Sequence, residues 1–474
     1  MSLIYSYFYH MKLVYLFLFI IVVAAAVPSC KKDTFITSPN AFVRLSVDTL
    51  NFDTVFTGSG SITQYFKVFN QNNQKLRLSE VKLMGGANSY FKLNVDGTPG
   101  TSFAGLEMEA NDSLYGFVMV NINKTTATTP FVIRDSIRIT YNGDTTYLQL
   151  TASGQNANFL KNTIINKDTT WTNNLPIVIS GGVTVNAGAT LTIQQGAKVY
   201  LGAHSPIFVN GSLQAFGESD TAKRINFMSD RLDMPYNNQP GSWPGIYFNS
   251  TSSNNILQYC NIKNANEGVS VAAQGASGNT MLTLNQCMFN NIKDIAIGGV
   301  NASIAANNCL ISNCGNNVVL SSGGNYSFNQ CTIVGYSNVN ISHESAVMRI
   351  SNTDSSGKVY NLNCLVVNSI VYGVGGLVGD ELAITKKAGA NYNVAFTNTL
   401  YKAQDAILSV ATFTGCLPNQ LPMFVNVNTD TANFNFHLAG TSPCIKAGTN
   451  TAISIDLEGN ARPSVSPDLG CYQR

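Results

Sequence analysis

Charge is what this chain of 474 residues has least of. Asp, Glu, Lys and Arg make up 11% of it, against roughly 25% in an average globular domain. The 28 bases nearly cancel the 26 acids, leaving a net +2. There is no basic tract and no interleaving of bases with aromatics, so a nucleic-acid partner is not expected. The four His are scattered, and neither CxxC nor HxH occurs, which removes the usual zinc ligand sets; no metal site is expected. Amphipathic stretches of helical period are also missing between the apolar runs, so helical and leucine-rich repeats do not fit. Asn, Thr, Ser and Gly do the solvating instead, as in a chain built of short strands and turns.

Long hydrophobic runs are scarce as well. The one at the N-terminus, Leu13 to Val27, is 15 residues, short of the about 20 needed to span a bilayer. With Lys12 before it, the run fits the apolar region of a signal peptide. Val27-Pro28-Ser29-Cys30 resembles the lipobox of bacterial lipoproteins, with Pro28 as a departure. Residues 1–29 are therefore expected to be a lipoprotein signal peptide, Cys30 the lipidated residue, and residues 30–41 a tether. Several acyl chains at ~0.8 kcal/mol per buried CH₂ would hold the protein on a membrane permanently. A plain secretory signal with an accidental Cys is the other reading.

The strongest pattern is a repeat. Cys287, Cys309 and Cys331 fall 22 residues apart, with Cys260 lying 27 upstream and Cys364 lying 33 downstream. Two residues after each comes an apolar side chain: Ile262, Phe289, Ile311, Ile333 or Val366. Four residues after comes Asn264, Asn291, Asn313, Gly335 or Asn368. The alternation puts Cys and the apolar residue on one side of a strand, with Asn in the turn that follows. A period of about 22 residues with short β-branched runs predicts a right-handed, single-stranded parallel β-helix over 172–474. Like residues of successive coils then stack ~4.8 Å apart. The five ladder thiols are expected to be free, buried and inward.

From 42 to 155 the pattern is antiparallel. Seven or eight short runs (TLNFDTVF, YFKVFN, SLYGFVMVNI and others) alternate with turn signals such as Asp96-Gly97 and Asn142-Gly143-Asp144, which predicts an immunoglobulin-like sandwich without Cys. Residues 155–172 read as a link. The first coils read as the N-terminal cap of the β-helix, SDRLDMPYNNQPGSWPG as a long loop, and DELAITKKAGANYN as a helical or irregular insertion.

The closing segments LPMFVN at 421, FNFHLAGTSPCIKAG at 434 and DLEGNARPSVSPDLGCYQR at 456 resemble the C-terminal cap of bacterial right-handed β-helix surface proteins of the pectin-lyase-like fold. With the leader, the N-terminal module and the coils, the resemblance covers nearly the whole mature chain. It departs where Cys444 and Cys471 stand in small-residue positions and Gln473 replaces an acid. Those two replacements suggest that the thiols pack together, a disulfide being one form of the pair. Asp456, Arg462 and Asp468 look like an ion-pair set of that cap. The resemblance implies an outer-membrane location and surface exposure, and leaves activity open.

Chemistry is thin. Between 246 and 376 the only acids are Glu267, Asp294, Glu344 and Asp354. Pectate-lyase-type sites need clustered carboxylates with Ca²⁺ and a base, and polygalacturonase-type sites need several close Asp. Glu267 and Asp294 each lie seven residues after a ladder Cys, with Lys263 and Lys293 nearby. In register they would sit ~5 Å apart, near the retaining-glycosidase separation. However, Glu267 precedes its strand by two residues and Asp294 precedes its own by one. A solvated turn ladder, a Ca²⁺ or polysaccharide contact, and a catalytic pair with Lys263 all remain open. His343-Glu344 reads as a surface contact rather than an acid–base dyad. Tyr236 and Trp243 could stack on sugar rings, or Trp243 could pack over the first coils.

Three classes of function follow. The first is a lipid-anchored surface scaffold binding carbohydrate or a surface partner, with no cofactor. The others are a polysaccharide lyase or glycoside hydrolase, and a structural or adhesion component without a ligand.

Overall fold

A computed structural model of the chain describes residues 34–272, 281–376 and 378–474. The expected signal peptide and Cys30 lie outside the described residues. The chain divides into two compact units, the second holding everything from Ser153 onward.

The first unit is built on two five-stranded sheets, whose ten strands lie between Val43 and Gln155. Most neighbours run antiparallel, while Thr49–Phe56 runs parallel to Asp144–Gln155, with Gln149 N donating to Asp48 O and Thr57 N to Gln155 O. Alternation sets their faces. Along Leu76–Leu83 the residues Leu76, Leu78, Val81 and Leu83 are buried while Arg77 and Ser79 are exposed. The two inner faces meet, with the Phe52 and Phe91 rings 5.9 Å apart. The Asn142-Gly143 turn has φ of 47° and 87°, the conformation that an Asn-Gly hairpin turn requires.

The second unit is dominated by a 26-stranded parallel sheet in which each strand pairs with the one a coil further on. This is the pairing expected of a parallel β-helix. It begins earlier than the repeat predicts: Asn158–Ile165 and Thr169–Trp171 already pair in parallel with Ile177–Val185 and Thr190–Gln194. The expected link is thus a first coil, hard to read because it packs on one neighbour and leaves Phe159 and Ile164 exposed. Likewise Leu382–Thr385, inside the expected insertion, is a regular coil strand with Met348 opposite Leu382.

The register corrects the thiol ladder in one place. Ile262, Phe289, Ile311 and Ile333 stand in one column, so Cys260, Cys287, Cys309 and Cys331 stack beside them. Thr332 then lies opposite Ile370, which puts Ser369 next in line. Cys364 instead faces Tyr326 and Val394 on another strand. Beyond Ser369 the column continues with Thr399 and Cys416, because Ile370, Leu400 and Leu417 are in register.

What unites Cys, Ser and Thr here is a donor hydrogen. The residue before each is left-handed: Tyr259, Gln286, Asn308, Gln330, Asn368, Asn398 and Gly415 all have φ between 44° and 63°. That one-residue bend leaves the carbonyl two positions back facing inward, and the next side chain donates to it. Cys309 Sγ donates to Asn307 O (3.4 Å), Ser369 Oγ to Val367 O (2.9 Å) and Thr399 Oγ1 to Thr397 O (3.0 Å). A buried carbonyl is thereby satisfied in a small space. The nine Cys of the described residues are all free, Cys444 and Cys471 included, and those two sit in one apolar cluster without a bond between them.

Amide ladders run along the outside. Asn307 Nδ2 donates to Asn285 Oδ1 (3.0 Å), and Asn329 Nδ2 to Asn307 Oδ1 (3.1 Å). The expected turn ladder also forms where Asn291 Nδ2 donates to Asn264 Oδ1 (2.8 Å).

Residues 421–474 leave the coil. A hairpin, Phe424–Asn428 with Asn433–Leu438, and the irregular tail after it lie lengthwise over outward-facing Leu310, Val334, Ile370, Tyr372 and Leu400. Asn308 Nδ2 donates to Ile455 O (2.7 Å), Asn368 Nδ2 to Thr449 O (2.6 Å), and Arg224 Nη2 to Leu457 O (2.5 Å). The expected ion-pair set is a hydrogen-bond network instead. Asp456 accepts from the backbone of Glu458, Asn460 and Gln473, and Asp468 from that of Lys446 and Arg474. Arg462 donates to Asn308 Oδ1 (2.9 Å) and Gly470 O (2.8 Å).

Candidate functional site

Strands of the form inward–outward–inward build a face that the C-terminal segment does not cover. Ile207–Val209, Ile246–Phe248 and Val269–Ala272 begin it, their inward residues fully buried. The outward residues fall in one column, each in register with the next: Phe208, Tyr247, Ser270, Gly298, Val319, Arg349 and Ala383. Rungs ~4.8 Å apart make this a ribbon long enough for several sugar units.

At one end the Phe208 and Tyr247 rings lie 5.4 Å apart, tilted by 35°. Phe208 is 39% exposed. Tyr247 donates its hydroxyl to Pro244 O (3.2 Å). Partial burial, and next the nearby Glu267 carboxylate, push its phenol up to about 12. Further along, Gly298 presents no side chain, and the nearest atoms to a Cβ there would be those of Ile295, Ser270 and Val269, at 3.4 Å or more. The floor therefore dips between Ser270 and Val319. Beside the column runs a polar chain: Asn316 Nδ2 donates to Asp294 Oδ1 (3.0 Å), and Arg349 Nη1 to Asn316 Oδ1 (3.4 Å).

Glu267 borders the same ribbon, half-buried. Burial raises its carboxyl above the usual range, a Ser270 hydrogen bond lowers it, and Asp294 raises it again. Glu267 and Asp294 are not ladder partners. The register slips by one residue across them, from Lys263 opposite Asn290 to Val269 opposite Ile297, and Gly268 N donates to Ile295 O. A one-residue slip turns side chains to different sides, and Asp294 points to solvent. Lys263 is on a different strand, beyond the Asn264 turn, in register with Asn290.

Trp243 is a core residue, 1% exposed, with Nε1 donating to Lys263 O (2.9 Å). It has no free ring face for a sugar. Tyr236 is exposed, on the single turn Tyr236–Asn238, and the Arg231 guanidinium covers its ring at 4.4 Å. That loop lies along the turns, where Asn237 and Asn238 carbonyls accept from Asn264 and Asn291.

His343 does not pair with Glu344. It is buried, with Nε2 2.9 Å from Glu381 Oε1, and Lys402 Nζ is 3.8 Å from the same oxygen. Val347 N donates to Glu381 Oε2 (3.3 Å). Glycines make the niche: a Cβ on Gly335 or Gly373 would come within 2.7 Å of the His343 ring or Glu381. His343 and Glu381 are sealed from solvent, while the Lys402 side chain is partly exposed.

No family model matches the chain, and no curated protein matches it. Solved structures give only local likenesses. One is a family 123 glycoside hydrolase from Clostridium perfringens that hydrolyses glycolipid glycans, at 11% identity over 25% of this chain and 26% of that one, TM-score 0.18. A PapD-like domain of human CEP192 matches at 11% identity over 28% of this chain and 96% of that one, TM-score 0.18. A Porphyromonas gingivalis protein of unknown function matches at 9% identity over 26% and 59%, TM-score 0.18. This chain thus spans about a quarter of the glycoside hydrolase's length, and likenesses of this size assign neither fold nor activity.

Proposed function

We propose that the chain is a lipid-anchored protein of the cell envelope, held at the outer-membrane surface through Cys30. In this reading an immunoglobulin-like module precedes a right-handed parallel β-helix of the pectin-lyase-like kind, which serves as a rigid scaffold binding carbohydrate along its uncovered ribbon. The observation that carries the reading is the ribbon itself. The exposed Phe208 ring, the partly buried outward Tyr247 ring, a dip at Gly298 and the Asp294–Asn316–Arg349 chain stand in a row at rung spacing. Rings supply stacking area and the amide, carboxylate and guanidinium supply the few oriented polar contacts a ligand site needs.

A polysaccharide lyase or hydrolase is the second reading. It is favoured by Glu267, whose raised carboxyl is the property of a general acid, and which the Asp294 carboxylate is near enough to influence. Affinity electrophoresis against neutral and uronate-containing polysaccharides, run beside a release assay with and without Ca²⁺, separates the readings. The scaffold reading expects retardation without new reducing or unsaturated ends. Release of such ends, abolished in Glu267→Ala, would replace it with the second.

A further inference from the structure

The two outer faces of the first unit differ in kind. On one sheet the outward groups are paired to each other. Arg77 meets Glu107 at 2.6 Å, and Arg138 meets Glu80 at 2.7 Å. Ser102 Oγ donates to Glu80 (2.9 Å), and Thr151 Oγ1 to Asn51 (3.0 Å). That is an ordinary solvated surface, its charges balanced in place.

The other sheet presents Arg44, Tyr65, Lys67, Phe69, Lys92, Tyr115, Phe117 and Met119, brought onto one face by the register Arg44–Phe69, Tyr65–Phe117, Lys67–Tyr115 and Lys92–Met119. Tyr65 is 57% exposed, and Tyr115, Phe117 and Met119 are each near 40%. The Tyr115 ring is 6.1 Å from Tyr65 and 6.2 Å from Phe117. Arg44 stands 4.2 Å from the Phe69 ring centre, and Lys67 stands 4.5 Å from that of Tyr115. The outward strand positions carry three cations and no carboxylate. Asp96 and Asp112 sit only in bounding turns. Among the described residues no acid pairs with Arg44, Lys67 or Lys92.

We propose that this sheet face rests on an anionic lipid surface. Tyr, Phe and Met in this amount leave an apolar patch that soluble surfaces rarely keep, and aromatic rings favour the headgroup level of a bilayer. The Arg44 and Lys67 heads rest on the Phe69 and Tyr115 rings and Lys92 lies beside them on the same face, so three positive charges stand at the level of the rings, where each gains from an anionic leaflet. A sugar polymer fits less well. Hydroxyls call for carboxylate and amide partners, of which the strands offer only Asn94, and Lys67 and Arg44 already occupy ring faces that a sugar would stack on. The inference does not depend on the β-helix ribbon.

Hydroxyl-radical footprinting of the full chain tests it, on vesicles of phosphatidylcholine alone and of phosphatidylcholine with phosphatidylglycerol. Oxidation of Tyr65, Tyr115, Phe117 and Met119 is expected to fall at least about threefold on the anionic vesicles, with Tyr147 and Met234 unchanged as exposed references. Arg44→Glu/Lys67→Glu/Lys92→Glu, three changes on the outward side of the sheet that leave the core intact, is expected to weaken vesicle partition at least about tenfold and remove the protection. Equal oxidation on both vesicles would overturn the proposal. So would protection by soluble polygalacturonate without vesicles, which would assign the face to an anionic polymer instead.

Discussion

Two outer faces of the coil are built from the same kind of strand and end differently. Where the outward positions read Leu310, Val334, Ile370 and Leu400, the chain returns on itself and residues 421–474 bury them. Each such side chain contributes about 1.5–3 kcal/mol when taken from water. Where they read Phe208, Tyr247, Ser270, Gly298 and Arg349, nothing of the described chain covers them and the polar groups bond along the rungs. Apolar outward residues mark a surface that the fold must close. A mixed aromatic and polar column marks one it can leave to a ligand.

The largest effect that would break this comparison is loss of the cover. Arg462→Ala leaves Asn308 Oδ1 and the Gly470 carbonyl without their donor, at about 1–3 kcal/mol each. Thiol labelling with Ellman's reagent is expected to reach Cys444 and Cys471 on the order of a hundredfold faster, while Cys287 and Cys309 in the coil stay protected. In the intact cap Cys444 and Cys471 react slowly because burial holds their thiols up to about 12.

Next comes the glycine niche on the covered sheet. His343→Ala leaves the buried Glu381 carboxylate with the Val347 amide and Lys402 at 3.8 Å, and the expected loss is about 3 kcal/mol by urea unfolding. An unchanged midpoint would mean that the pair is not sealed in.

The smallest effect lies in the loop after Asn352. Asp354 accepts from Ser356 Oγ and Tyr360 Oη, which hold its carboxyl at about 2. A depressed carboxyl stabilises the loop above its ordinary value of 3.8 and loses that contribution as pH falls through about 2. An NMR titration of its carboxyl carbon should give that low midpoint.

Much of the coil was legible because Cys287, Cys309 and Cys331 recur at one period. Reading the letter rather than the chemistry led from Cys331 to Cys364, 33 residues on, when the column passes to Ser369, 38 residues on. The shared property is a small side chain with a hydrogen to donate after a left-handed bend, and no spacing of Cys alone carries it. The ribbon was missed for another reason. Ile-Phe-Val and Ile-Tyr-Phe each hold one outward aromatic between two inward residues, and nothing in either triplet shows that Phe208 and Tyr247 share a column, whereas Trp243, open to either stacking or packing by its sequence, is buried. His343 and Glu381 lie 38 residues apart, and the only sequence mark of their niche is Gly335 and Gly373 at the place where other coils carry Asn.

Affinity of the Phe208→Ala/Tyr247→Ala double variant for the polysaccharide that retards the wild-type chain tests the ribbon most directly. Both rings point outward, so the melting temperature should hold while affinity falls at least about tenfold, as for loss of a central aromatic anchor. Unchanged affinity in a folded double variant would place the ligand elsewhere and contradict the account.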